Sequence, residues 1–123
     1  MKKVMVIDDT ADMRLQLTTY LQFAGMDTCD TGNVDEVVPM AQCEKPDVII
    51  VDYTMPEADG VEVLRMIQDE DDIKDIPVVL YSCAFDPRNS DFMRLREEGF
   101  KGVLEKNLES IAEDLSKLMG WEL

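Results

Sequence analysis

Histidine is missing from this chain of 123 residues. Its absence removes every mechanism that rests on an imidazole base, an imidazole metal ligand or a phosphohistidine carried by the chain itself. Cysteine is scarce: Cys29, Cys43 and Cys83 are odd in number, widely spaced and without a C-x-x-C pair, which excludes a disulfide framework and fits a reducing cytoplasm. Basic residues are outnumbered 27 to 12 by acidic ones. The resulting formal net charge of −15 repels phosphate backbones and anionic lipid, so neither nucleic acid nor a membrane surface is an expected partner. Long apolar runs are lacking too. The one after Met1-Lys2-Lys3 stops at Asp8, too short for a signal peptide, and nothing later approaches a membrane span, so a soluble, non-exported protein is expected. The chemistry left to such a chain uses carboxylates, hydroxyls, lysine or thiols.

What is present supports a packed core, because 46% of the residues are hydrophobic, and the length suits one domain over residues 1–123. Val4 to Ile7, Val48 to Val51 and Val78 to Tyr81 are unbroken aliphatic or β-branched runs, the pattern of strands covered on both faces. Met26 to Thr31 and Gly102 to Glu105 are less apolar and suit the edges of a sheet. Between the strands lie helical periodicities. Met13, Leu17, Tyr20, Leu21 and Ala24 form the first, stopped by Gly25, and Val34, Val37, Val38 and Ala41 form the second, where Pro39 should kink or delay the helix. Val61, Leu64 and Ile67 mark the third. A polar fourth runs around Asp91 to Glu98 with Phe92, Met93 and Leu95, and Leu108, Ile111, Leu115 and Leu118 mark the fifth, with Asn107 as its N-cap. Five βα units in series predict an α/β fold, a doubly wound five-stranded parallel sheet with helices on both faces. The acidic stretch Asp69 to Asp72 with Asp75 reads as a solvated loop.

Parallel strands deliver the residues just beyond their apolar runs to one rim, where α/β proteins place their sites. Asp8 and Asp9 follow the first strand, Asp52 ends the third, Ser82 ends the fourth and Lys106 follows the fifth. Three crowded carboxylates repel one another unless a cation offsets their charge. Oxygen ligands without His or Cys favour Mg²⁺ or Ca²⁺, and so few protein ligands with room for water favour Mg²⁺. A metal beside a carboxylate, with an ammonium opposite, is suited to stabilising a transferring phosphoryl group, with Asp52 as the nucleophile that forms an acyl phosphate.

These residues resemble the receiver domains of two-component response regulators: the acidic pair Asp8-Asp9, then Asp52-Tyr53-Thr54-Met55-Pro56 with Gly60 beyond, Ser82 and Lys106. The resemblance covers essentially the whole chain and implies a flavodoxin-like (βα)5 fold with strand order 2-1-3-4-5. It implies that Asp52 accepts phosphate from a phosphohistidine of a sensor histidine kinase, from a phosphotransfer protein or from a small phosphodonor. Asp8 and Asp9, directly or through water, would hold Mg²⁺ together with Asp52 and the backbone carbonyl of Thr54. Lys106 would contact phosphoryl oxygen, and Ser82 would be the switch hydroxyl that moves to bond it. Met55, Pro56 and Gly60 would shape the neighbouring loop. The face made by the fourth helix, fifth strand and fifth helix would carry the output to a downstream effector or a homodimer partner. A domain of this kind stands alone or forms the front of a longer regulator.

Two positions depart from the family pattern. Lys106 is followed by Asn107 where the family usually has proline after a cis bond; a cis bond before a non-proline residue costs about 2.5 to 4 kcal/mol, so a trans bond is expected. Val103 stands where an aromatic residue usually swings with the switch hydroxyl, and Tyr81, beside Ser82, points to the opposite sheet face by strand alternation. These departures keep a second function in view, a degenerate receiver that only binds protein. An aspartyl phosphatase of the haloacid dehalogenase type would need a carboxylate at Thr54, and a flavodoxin would need a phosphate loop after Ile7. Asp30 reads as a turn former, Cys83 as a packing residue and the nine methionines as core filling.

Overall fold

The apolar runs become strands because both of their faces have something to cover them. The computed structural model describes residues 2–52, 60–82, 96–105 and 107–122, with Ser82 and Glu105 described by their backbone alone. Its five strands are β1 (Lys3–Ile7), β2 (Asp27–Thr31), β3 (Val48–Asp52), β4 (Val78–Ser82) and β5 (Gly102–Glu105). They pair in parallel in the order β2-β1-β3-β4-β5. Every residue of β3, the central strand, is buried, whereas in β2, at the sheet edge, Asp27 and Asp30 are exposed, Thr28 and Cys29 are half-buried and only Thr31 is buried.

Helices α1 (Ala11–Phe23), α2 (Val37–Glu44), α3 (Gly60–Gln68) and α4 (Ile111–Met119) sandwich the sheet. One core layer joins Met5, Ile7, Ile49, Val51 and Leu80 to Val37 and Ala41 of α2 and Val63, Leu64 and Ile67 of α3. The other joins Val4, Val6, Ile50, Val79 and Tyr81 to Leu17 and Leu21 of α1 and Ile111 and Leu115 of α4. Among the described residues, no helix is long and apolar enough to cross a membrane.

Two local expectations need correction. Tyr20 and Ala24 are exposed, and Thr18 is buried in their place. The face α1 turns to the sheet is centred between Leu17 and Thr18, and the Thr18 hydroxyl is satisfied there by donating to the Arg14 carbonyl at 2.9 Å. Asn107 precedes a short 3₁₀ turn, Leu108–Ser110, and makes no side-chain cap bond; Ser110 stands at the start of α4 and donates to Asp114 at 2.8 Å. In the second helix the delay expected from Pro39 occurs. Residues Val34–Glu36 form a 3₁₀ turn, α2 starts at Val37, and Pro39 falls in its first turn, where its missing N–H has no intrahelical acceptor to lose. Of the fourth helical pattern, Arg96 to Glu98 are helical; Phe92, Met93 and Leu95 lie outside the described residues.

Candidate functional site

Register places the site. Ile7 pairs with Val51, Asp52 with Tyr81 and Ser82 with Glu105, so the carboxyl ends of β1, β3, β4 and β5 finish side by side. The Asp8 N–H adds one more rung by donating to the Thr31 carbonyl at 3.2 Å. At this rim one carboxylate oxygen from each of Asp8, Asp9 and Asp52 lies within 4.8 Å of the others. Asp8 is 1% and Asp52 7% exposed, while Asp9 faces solvent. The expected carboxylate triad is therefore assembled. Ser82 is the last residue of β4, and Thr54, Lys106 and the Lys106–Asn107 bond lie outside the described residues.

The donor set is hard oxygen, anionic and open on the Asp9 side, and it fits a small divalent cation that keeps part of its water. Two contacts immobilise Asp8 within it. Its Oδ1 accepts the Thr10 N–H at 2.9 Å, and its Oδ2 accepts the Tyr81 hydroxyl. Burial, the bond to Asp8 and the charges of Asp8, Asp52 and Asp9 hold the Tyr81 phenol far above its ordinary range, so it remains a neutral donor.

Sequence reasoning missed Tyr81 and Arg14. Tyr81 does lie on the sheet face opposite Val103, as alternation requires, but its hydroxyl extends past the strand end to the acidic corner. A hydroxyl at the end of the otherwise aliphatic Val78-Val79-Leu80 run was the available signal, since a buried phenol needs a partner. Arg14 donates from Nη1 to the Asp8 carbonyl at 2.7 Å and from Nε to Asp30 Oδ2 at 3.0 Å. Asp30, expected to form a turn, instead lies within β2 and pairs with Arg14, so α1, β2 and the Asp8 backbone are tied at one point. Arg14 is the only basic residue between Lys3 and Lys45. A side chain at Gly32 would collide with its guanidinium.

A family model described as response regulator receiver domain matches residues 4–117. The polar-differentiation response regulator DivK of Brucella anthropi is 30% identical over 105 residues, which are 85% of this chain and 84% of that protein. The chemotaxis response regulator CheY4 of Vibrio cholerae superposes with a TM-score of 0.84 at 27% identity, covering 96% of this chain and 98% of its own. A response regulator from Desulfuromonas acetoxidans shares the fold, with a TM-score of 0.83 at 21% identity over 98% of both chains. With the model match running from β1 into α4, over the strand ends that carry Asp8, Asp9 and Asp52, the chain belongs to the response regulator receiver domain family.

Proposed function

We propose that this receiver domain is a phosphorylation switch in which Asp52 takes a phosphoryl group, in a Mg²⁺-dependent reaction, from a phosphohistidine of a sensor kinase or phosphotransfer protein, or from a small phosphodonor. A carboxylate oxygen of Asp52 attacks phosphorus, the phosphorus–nitrogen bond of the donor imidazole breaks with its electron pair leaving on nitrogen, and an acyl phosphate remains on the chain. The observation that carries this reading is the buried Asp52 at the end of the central strand with Asp8 and Asp9 oxygens within 4.8 Å.

Asp8, Asp9, Asp52 and the Thr54 carbonyl would hold the ion, which supplies charge neutralisation for the phosphoryl oxygens. Lys106 provides the second cation for those oxygens, and the Ser82 hydroxyl bonds one of them once transfer is complete. That bond draws in the loop after β4 and shifts the face formed by the fourth predicted helix, β5 and α4, where an effector or a second copy docks. The shift is limited by the contacts that differ between the two states, and the new charge of roughly −2 is the largest of those differences. With valine at 103 no ring swings, so coupling to that face is either weak or carried by the backbone of the loop after β4. A cytoplasmic setting follows from the kinase partner.

The test is incubation with Mg²⁺ and acetyl phosphate followed by intact-mass measurement. Wild type should gain one phosphoryl group and Asp52→Asn none. No adduct on wild type would favour the binding-module reading, and an adduct surviving in Asp52→Asn would move the acceptor elsewhere.

A further inference from the structure

One buried polar group has no task in the mechanism above. Tyr81 is fully buried, its ring packed in the layer that contains Val4, Val6 and Leu17, and its backbone is fixed in the ladder between Asp52 of β3 and Leu104 of β5. A side chain held this firmly delivers its hydroxyl to Asp8 Oδ2. Oδ1 of the same carboxylate is held from the other side by the Thr10 N–H, at the start of α1. Asp8 therefore cannot rotate without breaking bonds to two separate elements. Its carbonyl is anchored as well, by Arg14. Each carboxylate oxygen keeps a further lone pair, so both bonds can persist while Asp8 faces a cation or a cation's water.

We infer that Tyr81 is a positioning residue of the cation site, acting through Asp8 to fix one carboxylate in the orientation a small octahedral ion requires and so favouring Mg²⁺ over Ca²⁺. This rests on the reading of Asp8, Asp9 and Asp52 as the metal ligands. Hydrogen-bond partners of metal-binding carboxylates commonly govern affinity by about 10- to 100-fold, because they remove the freedom that binding would otherwise have to freeze. Selectivity follows from the ions themselves. Mg²⁺ demands near-ideal octahedral geometry, whereas Ca²⁺ accepts variable ligand number and direction, so a loosened Asp8 harms Mg²⁺ binding more.

Calorimetric titration of Mg²⁺ and of Ca²⁺ into wild type and Tyr81→Phe tests this, since the substitution keeps the ring and removes only the hydroxyl. The expected result is a loss of about 10-fold or more in Mg²⁺ affinity with a smaller loss for Ca²⁺. A merely structural defect would lower both alike. A second measurement does not depend on that variant: in a Tyr20→Phe, Tyr53→Phe chain, where Tyr81 is the remaining tyrosine, Mg²⁺ should perturb the near-ultraviolet tyrosine absorbance. Wild-type binding of Mg²⁺ with unchanged affinity in Tyr81→Phe, equal losses for the two ions, or a silent Tyr81 spectrum would overturn this inference alone. Failure of wild type to bind either ion would overturn the reading of the site along with it.

Discussion

Cys29 shows what burial does to a single group in this fold. It lies in the middle of β2, half-buried, and desolvation pushes its thiol up to about 11, with the Glu44 carboxylate adding to the rise and the Lys3 ammonium opposing it. Cys43, on α2, is exposed. Because the thiolate is the nucleophile, iodoacetamide at about pH 8 should alkylate Cys43 well before Cys29, as followed by peptide mapping; equal rates would show that β2 opens readily. The sign for stability is fixed by the same shift. The folded chain holds the Cys29 proton more tightly than the unfolded one, so this contribution is present below pH 9.0, the ordinary thiol value, and is lost as pH rises toward 11. Tyr81 marks the limit of residue-level reading. Alternation along β4 says which face a side chain takes, and it took the face expected, but alternation says nothing about reach. A phenol is long enough to pass the strand end and meet Asp8, and only the register of β1 against β3 and of β3 against β4 brings the two within range.

At the scale of elements, the end of α1 is built by two bonds that require one glycine. The Gly25 N–H donates to the Gln22 carbonyl at 2.9 Å and the Met26 N–H to the Leu21 carbonyl at 3.1 Å, a Schellman closure with Gly25 at φ +88°. Met26 and Leu21 are buried in the same layer, so the closure also aims the chain into β2. A methyl group at Gly25 would meet nothing within 4 Å, which makes the cost of Gly25→Ala purely conformational. It should be about 1 kcal/mol or more, lowering the melting temperature by about 4 °C in a thermal scan, and an unchanged midpoint would mean the turn adopts another conformation. This stop was legible because Gly ends an apolar period, and the strands were legible because unbroken apolar runs have few other uses. Helix faces and caps were less so. Tyr20 and Asn107 each fit the local pattern, yet the angle at which α1 meets the sheet and the 3₁₀ turn at Leu108–Ser110 are set by packing that no local pattern records. Gly60 follows a loop that lies outside the described residues, and it has a packing role of its own: a Cβ there would press on the buried Leu80 side chain.

Over the whole molecule, the carboxylate triad was readable because parallel topology converts strand ends, which a sequence displays, into spatial neighbours. Its electrostatic context is a formal charge of −15, so the folded chain repels itself generally, and also locally where Asp8, Asp9 and Asp52 converge. Two effects of added magnesium must then be separated. General screening relieves the diffuse repulsion and depends on ionic strength alone, whereas an ion held at the corner would bind only the folded state and add stability by mass action. At a hundredfold excess over Kd the second effect is about 2.7 kcal/mol, or about 10 °C in melting temperature for a domain of this size. Magnesium chloride should therefore raise the midpoint well beyond sodium chloride of equal ionic strength, and a chelator should reverse the difference. Asp9→Asn removes the solvent-facing member of the triad, so it should melt slightly higher than wild type without magnesium and lose most of the magnesium-specific rise. If the two salts act alike on wild type, the corner is only part of a diffuse negative field; if Asp9→Asn keeps the full rise, the ion sits elsewhere on the acidic surface.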